Sequence, residues 1–168
     1  MTKNVMNYTR NTIFKQKKYT TKNTRTHESK NKYLHKSKDA LKLDADGCHL
    51  GQKDMNIKAA KRILGKKIIG ITCHNSMILA KKAIKAKADY IAFGAFNQSK
   101  AKKTKYVASV TLLNRFKKFT KTPTVAIGGI NAVNYKNLLL NNANFLAISG
   151  YIWKNKKLKP ENAIKKLI

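Results

Sequence analysis

Two short glycine turns in this chain have the makings of an anion site. Ala126-Ile127-Gly128-Gly129-Ile130-Asn131 places paired glycines where an apolar run gives way to a helical pattern. Glycines let backbone N–H groups approach an anion closely, and a helix N-terminus adds positive potential. The next apolar run ends at Ser149-Gly150, a second turn of the same kind. The same glycines also suit a turn that is merely tight. A third stretch, Asp46-Gly47-Cys48-His49-Leu50-Gly51-Gln52-Lys53-Asp54, sets Asp54 just past an apolar run. A carboxylate there can reach a Mg²⁺ that carries a phosphate; equally, it can N-cap the helix that starts near Asn56. In Ile71-Thr72-Cys73-His74-Asn75-Ser76, Thr72 or His74 can donate to a phosphate or move a proton, while Asn75 or Ser76 can cap a helix.

The two Cys-His pairs, Cys48-His49 and Cys73-His74, invite a zinc reading. Adjacent strand residues point to opposite faces, and the spacing matches no zinc signature, so small buried cysteines are expected instead. The polar run Ser99-Lys100-Ala101-Lys102-Lys103-Thr104-Lys105 is long for a loop between strand and helix. It reads either as a solvated loop or as one that closes over an anionic ligand.

The elements that must hold these groups are legible from residue 39 onward. Residues 45–50, 68–72, 89–94, 124–128 and 145–149 are short, near-continuous apolar runs, the pattern of strands buried on both faces of a parallel sheet. Amphipathic stretches alternate with them. Ile57, Ala60, Ile63 and Leu64 share one face, and Leu79, Ala83 and Ala86 another. Leu112, Leu113, Phe116 and Phe119 mark a third, and Tyr135, Leu138, Leu139 and Leu140 a fourth. Ala163, Ile164 and Leu167 follow Pro160-Glu161, a first helical turn. The fold class is therefore α/β, a TIM-barrel-type repeat with about five of eight βα units. Its functional end is the carboxyl end of the strands, where the glycine turns lie, and in such barrels the last two turns share a phosphate site. The first strand has an open edge, which predicts self-association into a homo-oligomer.

Residues 1–38 differ: eleven are basic, one is acidic, and no apolar period is sustained. They read as a disordered or irregular basic segment ahead of a domain spanning 39–168. The whole chain has 37 Lys and Arg against 7 Asp and Glu, a net charge of +30. Only Arg10, Arg25, Arg62 and Arg115 are arginines. Base and phosphate readers favour arginine forks, so dispersed lysine argues for a solvated surface over a nucleic-acid partner. No apolar run reaches the ~18–20 residues of a membrane span, and no secretory h-region is evident. The expectation is a cytoplasmic protein without a membrane partner.

Taken in order, the stretches at 45–54, 69–74, 88–96, 125–130 and 147–150 resemble thiamine-phosphate synthases, whose barrel is shared by thiazole tautomerases. The resemblance covers about three-quarters of the chain. It implies a transferase of thiamine biosynthesis that joins an aminopyrimidine pyrophosphate to a thiazole phosphate and releases pyrophosphate. It further implies Mg²⁺ as cofactor with Asp54 as ligand. Thr72, Lys102 and His74 are the implied catalytic positions. Thr72 and Lys102 would contact the pyrophosphate, with Ser99 on a hydroxyl position of the same loop as Lys102. Gly128, Gly129, Ser149 and Gly150 would contact the thiazole phosphate, and Gln52 and Ile127 are further implied substrate-binding positions. The family's barrel has eight strands and the resemblance starts at the fourth. An arginine and lysine pair on the second strand and an Asn-Asp pair on the third have no counterpart, which predicts a weakened pyrophosphate grip. The alternatives are a tautomerase with His74 as proton carrier, and a non-catalytic remnant or basic nucleic-acid-binding protein.

Overall fold

Every apolar run from residue 39 onward is a strand, and all of them run parallel. The computed structural model describes residues 5–7, 37, 39–98 and 105–167. Its strands are β1 (Val5–Asn7), β2 (Gly47–Leu50), β3 (Ile68–Thr72), β4 (Tyr90–Phe93), β5 (Thr124–Ile127) and β6 (Phe145–Ile148). They form one sheet in the order β1-β6-β5-β4-β3-β2. From β2 to β6 the chain adds each strand beside the last, with a helix in every crossover. These helices are α1 (Ile57–Leu64), α2 (Met77–Lys85), α3 (Val110–Phe119) and α4 (Tyr135–Leu140); α5 (Gly150–Trp153) and α6 (Pro160–Lys165) follow β6.

β1 is an addition to the sequence reading, which placed no strand before residue 39. Val5 pairs with Leu146 and Asn7 with Ile148. Three residues are too few to register as an apolar run or an alternation. The rest of the 1–38 segment apart from Ser37 lies outside the described residues, as do Ser99 and Lys102.

The strand period divides the side chains into two layers. Cys48, Leu50, Ile69, Ile91, Phe93, Ala126, Leu146 and Ile148 enter the main core, against the helices. There Phe93 meets Phe116 edge to face at 5.1 Å. Tyr90, Ala92, Val125 and Ala147 form a smaller cluster, with Ile127 and Phe145 packed on it. Two predicted core positions sit elsewhere. Phe119, the last residue of α3, is exposed under Lys81, whose Nζ lies 4.9 Å from the ring centre. Leu140 is exposed because three consecutive leucines cannot share one helix face.

The amino ends of the strands are tied by a repeated device. Asp89, just ahead of β4, accepts from the Ile69 N–H of β3 at 2.6 Å and from Lys61 at 2.7 Å. Asn144, just ahead of β6, accepts from the Thr124 N–H of β5 at 3.0 Å. A side chain before one strand thus satisfies an N–H within the first two residues of its neighbour. The pairs Ala88-Asp89 and Ala143-Asn144 supply these side chains.

Candidate functional site

On the inner face, the register sets His49, Gly70 and Tyr90 side by side across β2, β3 and β4. Gly70 has no side chain, so the Tyr90 ring lies across it. A Cβ at Gly70 would sit 1.9 Å from Tyr90 Cζ. Through that gap the Tyr90 hydroxyl reaches His49 Nδ1 at 2.9 Å, with the two rings stacked at 5.5 Å. The other ring nitrogen, Nε2, lies 2.7 Å from Thr72 Oγ1 at the end of β3. His49 and Tyr90 are buried, and Thr72 is half-buried.

The β2–α1 turn closes onto the same place. Gln52 Nε2 donates to the Thr72 carbonyl. The Gly51 N–H donates to Asp54 Oδ2 at 2.7 Å, which folds the carboxylate back over its own turn. Asp54 is not the helix cap: Asn56 is, its Oδ1 accepting from the Ala59 N–H at 2.9 Å. Among the described residues, no three His, Cys, Asp or Glu side chains gather as a metal cluster. Asp54 is a single carboxylate at this turn, a hard oxygen ligand of the kind Mg²⁺ takes together with water and substrate phosphates.

The cysteines face away from this network. Cys48 Sγ lies 3.8 Å from Ser37 Oγ on the helix side of β2, opposite His49. Cys73 is buried in the main core, and burial pushes its thiol up to about 12, so it stays protonated and unreactive. His74 adopts a left-handed φ of 52° and stacks on Tyr106 at 4.1 Å. Its carbonyl accepts from the Gly94 N–H, Asn75 Nδ2 donates to the Val107 carbonyl, and Ser76 caps α2 through the Leu79 N–H.

The β5 end is built from backbone. Gly128 and Gly129 have φ of 94° and 62°. Alongside them runs the segment after β4: Phe96 N–H donates to the Ile127 carbonyl and Asn97 N–H to that of Gly128, both at 3.1 Å. A Cβ at Gly128 would stand 2.3 Å from Ala95 Cβ, and one at Gly129 would stand 2.5 Å from the Asn97 carbonyl oxygen. The paired glycines therefore serve conformation and close approach together. Asn134 Nδ2 holds the Gly129 carbonyl at 3.0 Å from beneath. At the β6 end Ser149 is exposed, and its side chain makes no capping bond to α5. Open space surrounds the position of a Cβ on Gly150.

Of the residues singled out in the sequence, Gln52 and Thr72 are bonded across the ends of β2 and β3, and Asp54 folds onto the Gly51 end of the same turn. Ile127, Gly128 and Gly129 form the β5 turn, and Ser149 and Gly150 the neighbouring one. The reading missed His49 and Tyr90 as members of the site. The signal was Gly70: a glycine inside a strand marks a close approach.

Comparison with known proteins covers the stretch of chain that holds these positions. The sequence profile of the family described as thiamine monophosphate synthase matches residues 31–152. A thiamine-phosphate synthase of Pelagibacter ubique is 66% identical over 128 residues, 76% of this chain and 62% of the relative. One from Nitrosomonas eutropha is 44% identical over 110 residues, 65% of this chain and 52% of the relative. The chain thus spans between half and two-thirds of the length of these curated relatives. Among solved structures, a thiamine phosphate pyrophosphorylase of Pyrococcus furiosus superposes with a TM-score of 0.69 at 32% identity, covering 78% of this chain and 61% of its own. A 3-hexulose-6-phosphate synthase, at 16% identity and a TM-score of 0.57, shares the fold alone.

Proposed function

The chain belongs to the thiamine monophosphate synthase family, and on that premise we propose that it couples an aminopyrimidine pyrophosphate to a thiazole phosphate. In this reaction a carbon–oxygen bond to pyrophosphate breaks, a bond to the thiazole ring forms, and pyrophosphate leaves. What supports the reading is the Gln52–Thr72 bond that ties the carboxyl ends of β2 and β3, with Asp54 in the same β2–α1 turn, at the end of the sheet that also bears the glycine turns of β5 and β6. Thr72 supplies a hydroxyl to the pyrophosphate and Gln52 fixes the backbone beneath it. By the family resemblance Lys102 and Ser99, outside the described residues, would contact the same group. Charge builds on the departing pyrophosphate, so a positioned cation and donors stabilise the transition state more than the ground state. Asp54 would hold Mg²⁺, which when bound supplies positive charge at that oxygen. Gly128, Gly129, Ser149 and Gly150 receive the thiazole phosphate through backbone N–H groups and one hydroxyl, with Ile127 lining the approach. Among the described residues β2 has no second neighbour in the sheet, which supports self-association.

The test is product formation from the two substrates with and without EDTA. Product that disappears with EDTA and returns with Mg²⁺ supports the synthase. Turnover indifferent to EDTA overturns it. Titration of the thiazole phosphate alone tests the β5–β6 half, where absence of binding refutes the phosphate role of both turns.

A further inference from the structure

His49 is more than a core histidine. It is buried, its two ring nitrogens have different partners, and those partners come from different strands. A neutral imidazole has one donor and one acceptor nitrogen, so its tautomer decides what each partner does. If Nδ1 carries the proton, Nε2 must accept the Thr72 hydroxyl proton, and Thr72 then turns only lone pairs outward. If Nε2 carries the proton, it donates to Thr72 Oγ1, and the Thr72 proton is left for another acceptor.

We propose that His49 is a positioning residue, held by Tyr90 as the Nε2–H tautomer so that Thr72 presents its hydroxyl proton to an anion. The phenol is the better donor of the Tyr90–His49 pair and the bare imidazole nitrogen the better acceptor, so the Tyr90 proton goes to Nδ1. Burial of both rings, with Gly70 clearing the path, keeps water from competing for that nitrogen. Nε2–H then fills one lone pair of Thr72 Oγ1 and fixes the direction of the remaining proton. Gln52 holds the Thr72 carbonyl, so the backbone cannot swing to undo the choice. The role at pyrophosphate rests on the function proposed above; the tautomer does not.

The experiment pairs ¹⁵N NMR of histidine-labelled protein at pH about 8 with calorimetric titration of Mg²⁺ and inorganic pyrophosphate. His49→Gln assigns the His49 signals. The wild type should show Nδ1 bare and Nε2 protonated. Tyr90→Phe should mix the tautomers and weaken pyrophosphate binding about threefold, and His49→Leu should weaken it about tenfold. His49→Gln, whose terminal amide can occupy the Nε2 position and donate to Thr72, should stay within about threefold of wild type. A wild-type Nδ1–H tautomer overturns the proposal. So does a His49→Leu protein with wild-type urea midpoint and undiminished binding, or a His49→Gln protein as weak as His49→Leu. A wild type that shows the Nε2–H tautomer but binds no pyrophosphate refutes the pyrophosphate reading and leaves the tautomer assignment standing.

Discussion

Across β2, β3 and β4 the site is made of side chains: Tyr90 at the start of β4 is tied to His49, His49 to Thr72 at the end of β3, and Gln52 to the Thr72 carbonyl. At β5 and β6 it is made of backbone. The Gly128-Gly129 turn is shaped by the 95–97 segment pressed against it, and the Ser149-Gly150 turn opens onto free space. The first flank depends on the identity of every member, because a changed atom leaves a buried polar partner unmatched. The second depends on the absence of side chains and tolerates change anywhere the path of the chain survives. It is also complete within two adjacent βα units, whereas the first draws on three strands and, by the family resemblance, would take further charges from residue pairs that have no counterpart in the sequence.

The widest separation between the flanks should appear in ligand affinity. Two missing charged partners, at about 1.5–3 kcal/mol each, predict that thiazole phosphate binds at least about 100-fold more tightly than Mg²⁺-pyrophosphate, at ~1.4 kcal/mol per tenfold. Parallel calorimetric titrations would show it, and equal affinities would erase the distinction. Next in size is Gly129→Ala. The new methyl group meets the Asn97 carbonyl oxygen, and overpacking of this kind costs about 1–3 kcal/mol, so the urea midpoint should fall and thiazole phosphate binding with it. An unshifted midpoint would mean the turn is looser than its contacts require. Thr72→Val should weaken pyrophosphate about tenfold and leave thiazole phosphate unchanged; a loss of both would show that the flanks are one unit. The smallest effect belongs to the opposite end of the sheet. Lys61 and Asp89 are both partly exposed, so Lys61→Ala should cost less than about 1 kcal/mol by urea denaturation and alter neither ligand.

The two flanks also differ in how well they could be read from residues. The Gly-Gly and Ser-Gly turns were evident because a glycine pair after an apolar run has few other uses. The five strands from β2 to β6 were evident because burial on both faces writes a continuous apolar run. The Tyr90–His49–Thr72 chain was not, since its members are 41 and 23 residues apart and meet only through register. Asp54 could be placed at a strand end, but not distinguished from a cap until Asn56 was seen in that role. β1 was invisible for a different reason: three residues make a strand only when β6 is there to receive them.

That last pairing has a kinetic side. Neighbours from β2 to β6 join partners about 20 to 33 positions apart in the chain, while Val5 and Leu146 are separated by about 140. Closing the longer loop carries a larger entropy cost, and the cost is recovered only once β6 is in place. The sheet therefore grows from the β2–β5 side, and the β1–β6 seam is the last to form and the first to open. Pulse-labelled hydrogen exchange should find the β1 amides protected after those of β3 and β4; simultaneous protection would mean that assembly is concerted.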